Sequence, residues 1–389
     1  MKKTVIVVPV YKPIMSELEH ISFQQCIRVL GKYPIYLIAP KNLNLSFYTD
    51  MGQVSIIRFE DDNFLSLEAY SHLCMKQDFY KAFEQYDYML IYQLDAFVFS
   101  DRLMEFCDKG YDFIGAPAPK TYWEDLPFQV GNGGFSLRKI SSFIDITNHI
   151  EDIVSAFRRD FGDSVIDSCF KMEDCVFAYC GYKDDICFCT PRMEDAFYFS
   201  VEFNINGVYE GINKSLPFGC HRWDRNKFDI WWPIIKSYGY DLSQDVVSEQ
   251  QSLYPWYEYA VIMRLIRRGE RLDEIKCIIM EQLKQDRVSI WGMGYQSIKI
   301  LSALNVLEIK VEKYYDKNFA LYNGAVYPNL ELIVNDAYPI IVTSTKYAQD
   351  ISDEMNAGGL IRNKNYFLWT DIVANLIEKT NVESMGETY

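Results

Sequence analysis

The sequence predicts an α/β fold: a mixed, mostly parallel sheet flanked by helices, followed by a helical connector and a second, smaller α/β unit. Three observations predict it. Short apolar runs alternate with amphipathic helical stretches from the N-terminus to about residue 95, the rhythm of strand-helix-strand crossovers. The run Tyr86-Asp-Tyr-Met-Leu-Ile-Tyr-Gln-Leu-Asp95 is almost wholly apolar until one carboxylate ends it, as expected of a strand buried on both faces. Residues 287–389 start the pattern again with Val288-Ser-Ile-Trp-Gly-Met-Gly294, a strand ending in a G-x-G turn.

Taken in order, Thr4–Pro9 and Ile35–Ala39 read as short buried strands. They are parted by a helix over Ser16–Leu30 that carries Leu18, Ile21, Ile27 and Leu30 on one face. Val54–Phe59 is a third strand, Leu65–Gln85 a long amphipathic helix, and Tyr86–Leu94 a return to the sheet. Beyond Asp95 the pattern loosens into short strands and loops, including Tyr111–Pro117 and the glycine cluster at 131–134, where binding residues concentrate. Glu173–Tyr179 opens a short helix and Ile186–Thr190 resembles a strand. Tyr257–Arg268 and Leu272–Lys284 are helices separated by Gly269. In the last unit Ser297–Leu304 is a helix, Ile309–Tyr315 a strand ending at Asp316, Pro339–Thr343 another strand, and the tail from Glu378 is expected to fray. The expected division is 1–245, a connector over 246–286, and 287–389, without internal repeats.

A chain of 389 residues suits two domains, each with its own core. Lysine and arginine number 39 against 54 acids, a formal charge of −15, which argues against nucleic acid or an anionic membrane as a partner found by long-range attraction. A phosphate-bearing ligand must then be met locally, by a metal, an arginine or backbone amides. The apolar run Val5–Val8 is too short for a signal-peptide core, and no run reaches the ~20 apolar residues of a membrane-spanning helix. A cytoplasmic protein is expected. The stretch Met263-Arg-Leu-Ile-Arg-Arg268 reads as part of the connector, with peripheral membrane contact left open. Ten cysteines include Cys169, Cys175, Cys180, Cys187, Cys189 and Cys220 without a C-x-x-C pair, so buried reduced thiols are expected rather than zinc.

Asp95 falls where open α/β sheets bind ligands, outside the carboxyl end of a strand. A carboxylate there anchors a divalent ion that neutralises a departing diphosphate, or else it caps the next turn. His221, in a loop with Pro217, Gly219 and Trp223, is the natural second ligand, since imidazole with carboxylate oxygen suits Mn²⁺. Gly131-Asn-Gly-Gly134 lets the backbone approach a ligand, or makes a plain hairpin turn. Arg138 either clamps a phosphate or neutralises a buried carboxylate. Glu173-Asp174 at a helix start offers either a general base or acids stabilised by the helix dipole. Trp223, Trp231 and Trp232 are placed to stack on a sugar face, with core packing the alternative for the last two.

The ordered motifs Pro9-Val-Tyr11, Tyr92-Gln-Leu-Asp-Ala-Phe97, Tyr111–Pro117, Gly131-Asn-Gly-Gly-Phe-Ser-Leu-Arg138, Glu173-Asp174, Phe199-Ser-Val-Glu202 and Pro217-Phe-Gly-Cys-His221 resemble a bacterial glycosyltransferase-like family labelled as being of unknown function, over roughly residues 1–235. The resemblance implies an A-type glycosyltransferase fold that binds a nucleotide-sugar donor and a saccharide or glycolipid acceptor. It also implies Mn²⁺ or Mg²⁺ as cofactor and a role in bacterial surface polysaccharide synthesis, with inversion at the sugar. On these positions it implies Asp95 and His221 as metal ligands and Asp174 as the catalytic base. Pro9, Val10, Tyr11, Asp95, Ala96 and Arg138 would lie on the donor, and Gly133, Gly134, Glu173 and Trp223 on the sugar or acceptor. Gln93 and Phe97 stand where a second aspartate of a D-x-D motif would be, which leaves a metal-independent mechanism open. The last unit resembles small Rossmann-like modules. Its Gly292-Met-Gly294 begins a dinucleotide fingerprint, Ser297 replaces the third glycine, and Asp316 lies at the distance of a ribose-binding acid. NAD(P) is not the expected cofactor. The alternatives are a dinucleotide-dependent oxidoreductase built on this unit and a non-catalytic carbohydrate-binding protein.

Overall fold

A computed structural model describes residues 2–118, 126–162, 172–203, 215–225, 227–251, 256–344 and 347–380. Its internal contacts divide the chain into two units, 1–253 (with 387–389) and 254–386.

The first unit is built on a six-stranded sheet. Strands β1 (Thr4–Pro9), β2 (Ile35–Pro40), β3 (Ser55–Phe59) and β4 (Tyr88–Tyr92) run parallel, and β6 (Phe113–Ile114) and β7 (Phe135–Lys139) close one side antiparallel, in the order β3-β2-β1-β4-β7-β6. Every residue of β1 and β4 is buried, which is why both read as unbroken apolar runs rather than alternating ones. The helix Glu17–Leu30 starts with a capping box: Ser16 accepts the Glu19 N–H and the Glu19 carboxylate accepts the Ser16 N–H. Strand order reverses between β1 and β4, so their carboxyl ends, at Pro9 and Gln93, flank a topological switch point, the usual ligand crevice of such sheets.

A second, three-stranded sheet decides the chemistry of that crevice. β5 (Phe97–Val98), β8 (Ser200–Val201) and β9 (Gly219–Cys220) run in the order β5-β9-β8, with Phe97 opposite Cys220 and Cys220 opposite Val201. The parallel pairing of β8 and β9 leaves Glu202 and His221 side by side at the two strand ends. The antiparallel pairing of β5 returns Asp95 to the same edge. An aromatic core backs this sheet, with Trp223 and Phe228 stacked at 6.2 Å and Phe228 and Trp232 at 5.9 Å.

The second unit is a five-stranded, wholly parallel sheet. β10 (Arg287–Trp291), β11 (Lys310–Tyr315), β12 (Ala325–Val326), β13 (Ile340–Val342) and β14 (Tyr366–Leu368) have the order β12-β11-β10-β13-β14, the Rossmann-like arrangement. The helices Trp256–Arg268 and Leu272–Leu283 pack in this unit's core through Ile262, Ile266, Ile275 and Ile279.

Several elements differ from the sequence expectation. The helix expected over Leu65–Gln85 is two helices, Leu67–Cys74 and Gln77–Lys81, because Ser66 caps the first at the Ala69 N–H and the chain turns at Met75–Lys76. Ile186–Thr190 forms no strand. It docks beside β6 through isolated bonds, the Asp112 N–H to the Cys189 carbonyl (2.7 Å) and the Cys189 N–H to the Asp112 carboxylate (2.7 Å). The helix Trp369–Thr380 continues past Glu378 and buries Thr380. The described cysteines are free thiols, but Cys187 and Cys189 are exposed rather than buried, and Cys169 lies outside the described residues. No helix among the described residues is long and apolar enough to cross a membrane.

Leu90 sits at the middle of β4 with no exposed surface. Leu90→Ala should therefore destabilise the protein by about 2–5 kcal/mol in urea unfolding. A loss below about 1 kcal/mol would show that β4 is not the packed centre of the sheet.

Candidate functional site

Two cavities adjoin at the switch point. The larger, of about 500 Å³, runs from Pro9, Tyr11 and Lys12 past Leu65 to Asp95 and Arg225. The smaller, of about 210 Å³, is lined by Gly133, Gly134, Glu173, Asp174 and His221, and it also reaches Asp95 and Arg225. Leu67, Tyr70, Gln93, Asp95 and Arg225 thus form the shared wall. A wider hollow of about 620 Å³ lies on the second unit, but it is an open surface of charges such as the Lys379–Glu281 pair and holds none of the sequence-predicted site residues.

The shared wall is an ion cluster. His221 Nε2 lies 3.0 Å from Asp95 Oδ1 and 3.1 Å from Gln93 Oε1, while Nδ1 lies 3.0 Å from Glu202 Oε2. Arg225 reaches the other Asp95 oxygen at 3.5 Å and Asp224 at 3.1 Å. Burial alone would raise the Asp95 carboxyl, but His221 and Arg225 overcome it and hold the group well below the usual carboxylate range. Burial likewise opposes the His221 charge, yet Asp95 and Glu202 push the imidazole up to about 10. Arg222, the next residue, sits in the left-handed region at φ 53°, a conformation that costs about 1–3 kcal/mol for a side chain of its size. That kink lets His221 face Asp95 while Trp223 turns into the aromatic core, and the Trp223 N–H bonds the Asp95 carbonyl at 3.3 Å.

Across the smaller cavity the Asp174 carboxylate accepts the N–H of Gly133 (3.1 Å) and of Cys175 (2.8 Å) at the start of the helix Glu173–Tyr182. Burial first, then the neighbouring Glu173, pushes its pKa up to about 7. Glu173 is ion-paired to Arg138 at 3.0 Å, with both side chains inside the protein. Two carboxylates on one site wall thus have opposite tendencies: Asp95 is held ionised and Asp174 is poised near neutrality.

The glycine loop is shaped by protein contacts as much as by the cavity. A Cβ on Gly134 would lie 2.0 Å from His221 Nε2 and 2.7 Å from Gln93 Oε1, and one on Gly133 2.8 Å from Glu173 Oε1. Gly131 has φ 130° and packs on the Phe113 ring.

Of the residues proposed from sequence, Pro9, Tyr11, Asp95, Gly133, Gly134, Glu173, Asp174 and His221 line the two cavities. Four do not. Val10 is core, its N–H bonded to the Ile38 carbonyl. Ala96 closes a turn through its N–H to Gln93, and its carbonyl accepts the Ser22 hydroxyl. Arg138 is fully buried on Glu173, so its guanidinium faces a carboxylate inside the protein and not a donor phosphate. Trp223 has no exposed surface for a sugar to stack on, and Trp231 and Trp232 belong to the same core. Lys12 and Arg225 escaped the sequence reading, and Gln93 and Glu202, though quoted in its motifs, were given no place at the site. Glu202 carried a visible signal, an acid directly after a short apolar strand, as Asp95 does.

The site fits a divalent ion. The Glu202 carboxylate on Nδ1 with Nε2 facing oxygen donors is the pattern of a metal-ligating imidazole. The 3.0 and 3.1 Å separations match the ~3 Å expected of neighbouring ligands on one octahedral ion. Asp95 Oδ1 is in addition a buried acceptor without an aligned hydrogen-bond donor among the described residues. Among those residues no three His, Cys, Asp or Glu side chains group as a ready cage, since the third donor here is the Gln93 amide oxygen. In the second unit, Asp316 accepts the N–H of Met293 and of Asn318, both at 2.7 Å, so its carboxylate tightens the G-x-G turn.

Gly134→Ala should push the His221 ring off Asp95. The imidazole, held near 10 in the native protein, should then titrate closer to its ordinary 6.5 by NMR. An unchanged midpoint in a folded variant would contradict this packing.

Comparisons with known proteins can be set beside this geometry. A family model described as "Protein of unknown function (DUF5672)" matches residues 53–221, a span that holds Asp95, the glycine loop, Asp174 and His221 but not Pro9–Tyr11. No curated protein matches the chain. Among solved structures, the glycosyltransferase GlyE of Streptococcus pneumoniae TIGR4 is similar over 98% of this chain and 100% of its own, at 11% identity and a TM-score of 0.38. Mouse xyloside xylosyltransferase 1 is similar over 56% of this chain and 97% of its own, at 10% identity and a TM-score of 0.39. The galactosyltransferase LgtC, solved with donor and acceptor sugar analogues, is similar over 62% of this chain and 98% of its own, at 10% identity and a TM-score of 0.39.

Proposed function

We propose that the protein is a glycosyltransferase that moves a sugar from a nucleotide-diphosphate donor to a hydroxyl of a saccharide or glycolipid acceptor, with inversion at the anomeric carbon. One observation carries this: a nucleotide-sized cavity at the switch point meets a smaller one at Asp95, and a carboxylate poised near pH 7 stands on the far wall of the smaller. The nucleoside would lie along Pro9 and Tyr11, with the diphosphate between Lys12 and Arg225. The surface-polysaccharide setting rests on the motif resemblance alone.

The chemistry follows from that placement. The acceptor hydroxyl gives its proton to Asp174, its oxygen bonds to the anomeric carbon, and the bond from that carbon to the diphosphate oxygen breaks with its electron pair leaving on the nucleoside diphosphate. Arg225 and Lys12 place positive charge where the leaving group becomes more negative. Mn²⁺ or Mg²⁺ held by Asp95, His221 and the Gln93 amide oxygen would supply further charge neutralisation there. Lying in the smaller cavity, away from the exposed mouth at Tyr11 and Leu65, Asp174 works where water is scarce and its proton affinity is high.

A screen of UDP- and GDP-sugars with and without Mn²⁺, read as thermal protection, tests the donor side. Protection that needs Mn²⁺ in the native protein and vanishes in Asp95→Asn is expected, and equal protection in both would remove the metal assignment. For the base, Asp174→Asn should lower turnover by about 10²–10⁴-fold while donor affinity changes little. The sign of the pH effect follows from the raised pKa: the base must be ionised, so turnover should be level above about 7 and fall as pH drops through it. A rate that rises on acidification through that range would contradict the assignment.

A further inference from the structure

We propose that Arg138 is the positioning residue of the Asp174 carboxylate, because one buried guanidinium ties together the two chain segments that hold it. The inference rests on the transferase reading only in giving Asp174 the role of base.

Arg138 lies on β7 opposite Met89 of β4 and Phe113 of β6, and it lines neither cavity. Three rings surround the guanidinium, Phe113, Phe143 and Phe177, at 5.5–5.7 Å. An arginine enclosed by aromatic rings can reach its partners in few ways, and here each N–H group is directed. Nη1 donates to the Tyr80 hydroxyl (2.9 Å), Nε to the Ser136 hydroxyl (3.1 Å), and Nη2 to Glu173 Oε1 (3.0 Å) and more distantly to the Gly133 carbonyl (3.4 Å). Ser136 passes its own proton to the same Gly133 carbonyl (2.9 Å). On the other side of that residue, the Gly133 N–H is the donor to Asp174 Oδ2.

Two routes therefore run from Arg138 to Asp174. One goes through Ser136 and the Gly133 backbone to the carboxylate oxygen, and the other through Glu173, the neighbour on the helix. The second route is also electrostatic. Asp174 faces Glu173 on its own helix and Glu202 at the end of β8. Its donors are the N–H groups of Gly133 and Cys175, and the Leu67–Cys74 helix brings Tyr70 and Cys74 to the Arg138–Glu173 pair, both kept neutral because burial raises their pKa. Arg138 places its positive charge 3.0 Å from the Glu173 carboxylate and so offsets the negative charge that Glu173 directs at Asp174.

The test uses the full chain with Arg138→Met, Arg138→Lys, Glu173→Gln and the double variant Arg138→Met/Glu173→Met. The Asp174 carboxyl is titrated by carbon-13 NMR, assigned by its loss in Asp174→Asn, and binding of UDP with Mn²⁺ is measured alongside. The expected result is an Asp174 midpoint at least one pH unit higher in Arg138→Met, an intermediate value in Arg138→Lys, and a return to the native midpoint or below in the double variant. UDP binding should stay within about twofold in Arg138→Met and Arg138→Lys, because Arg138 is not on the cavity wall. An unmoved midpoint in folded Arg138→Met overturns the proposal, and so does a tenfold loss of UDP binding with the midpoint unmoved, which would mark a donor clamp. If Arg138→Met does not fold, Glu173→Gln decides: a lower midpoint supports the proposal and an unchanged one overturns it. The titration needs no turnover, so a protein that transfers no sugar defeats the functional reading without deciding this one.

Discussion

The structure of the site depends on one imidazolium held between two carboxylates. His221 sits between Asp95 and Glu202 at 3.0 Å from each, all three largely or wholly shielded from water. Such a triad is costly to assemble and worse to break, since removing one member strands buried charge at about 3–5 kcal/mol. Its function here is registration. It joins the turn after the central strand of the large sheet to the ends of β8 and β9 in the small one, and so sets where the two cavities meet. The paired register of β8 and β9 makes the contact local: once Val201 lies opposite Cys220, Glu202 and His221 are neighbours without any further adjustment.

The same architecture separates two aspartates of identical chemistry into two roles. Asp95 has cations on both oxygens and stays ionised in any neutral solution. Asp174 has backbone amides and a neighbouring acid, and burial dominates its behaviour. A fixed negative charge suits an ion or phosphate anchor, whereas a carboxylate near pH 7 suits proton abstraction from a hydroxyl. Lys12 and Arg225 line the larger cavity of a protein with an overall charge of −15, each ion-paired to carboxylates of the same cavity, Lys12 to Glu19 and Arg225 to Asp95 and Asp224, so a diphosphate must compete with those acids for them.

Much of the fold was legible because the central strands β1 and β4 are almost wholly apolar and the helix Glu17–Leu30 announces its own start with Ser16 and Glu19. The break within Leu65–Gln85 was not, because the amphipathic spacing survives a turn at Met75–Lys76. At the site, Asp95, Asp174 and His221 stood out as polar residues at element ends, and they surround one small cavity. Misplaced residues share one cause: motif position does not say which way a side chain points. Arg138 and Trp223 lie within the expected motifs yet face the interior, while Arg225, two residues past Trp223, reaches the cavity wall. Glu202 showed as an acid after a short strand, but that it meets His221 follows from the pairing of β8 with β9, which no local pattern encodes.

The most direct measurement is the structure of the protein with UDP or GDP and Mn²⁺. The account predicts the nucleoside along Pro9 and Tyr11, the diphosphate between Lys12 and Arg225, and the ion on Asp95 and His221. A nucleotide bound anywhere else, including at the Gly292–Gly294 turn of the second unit, would contradict it.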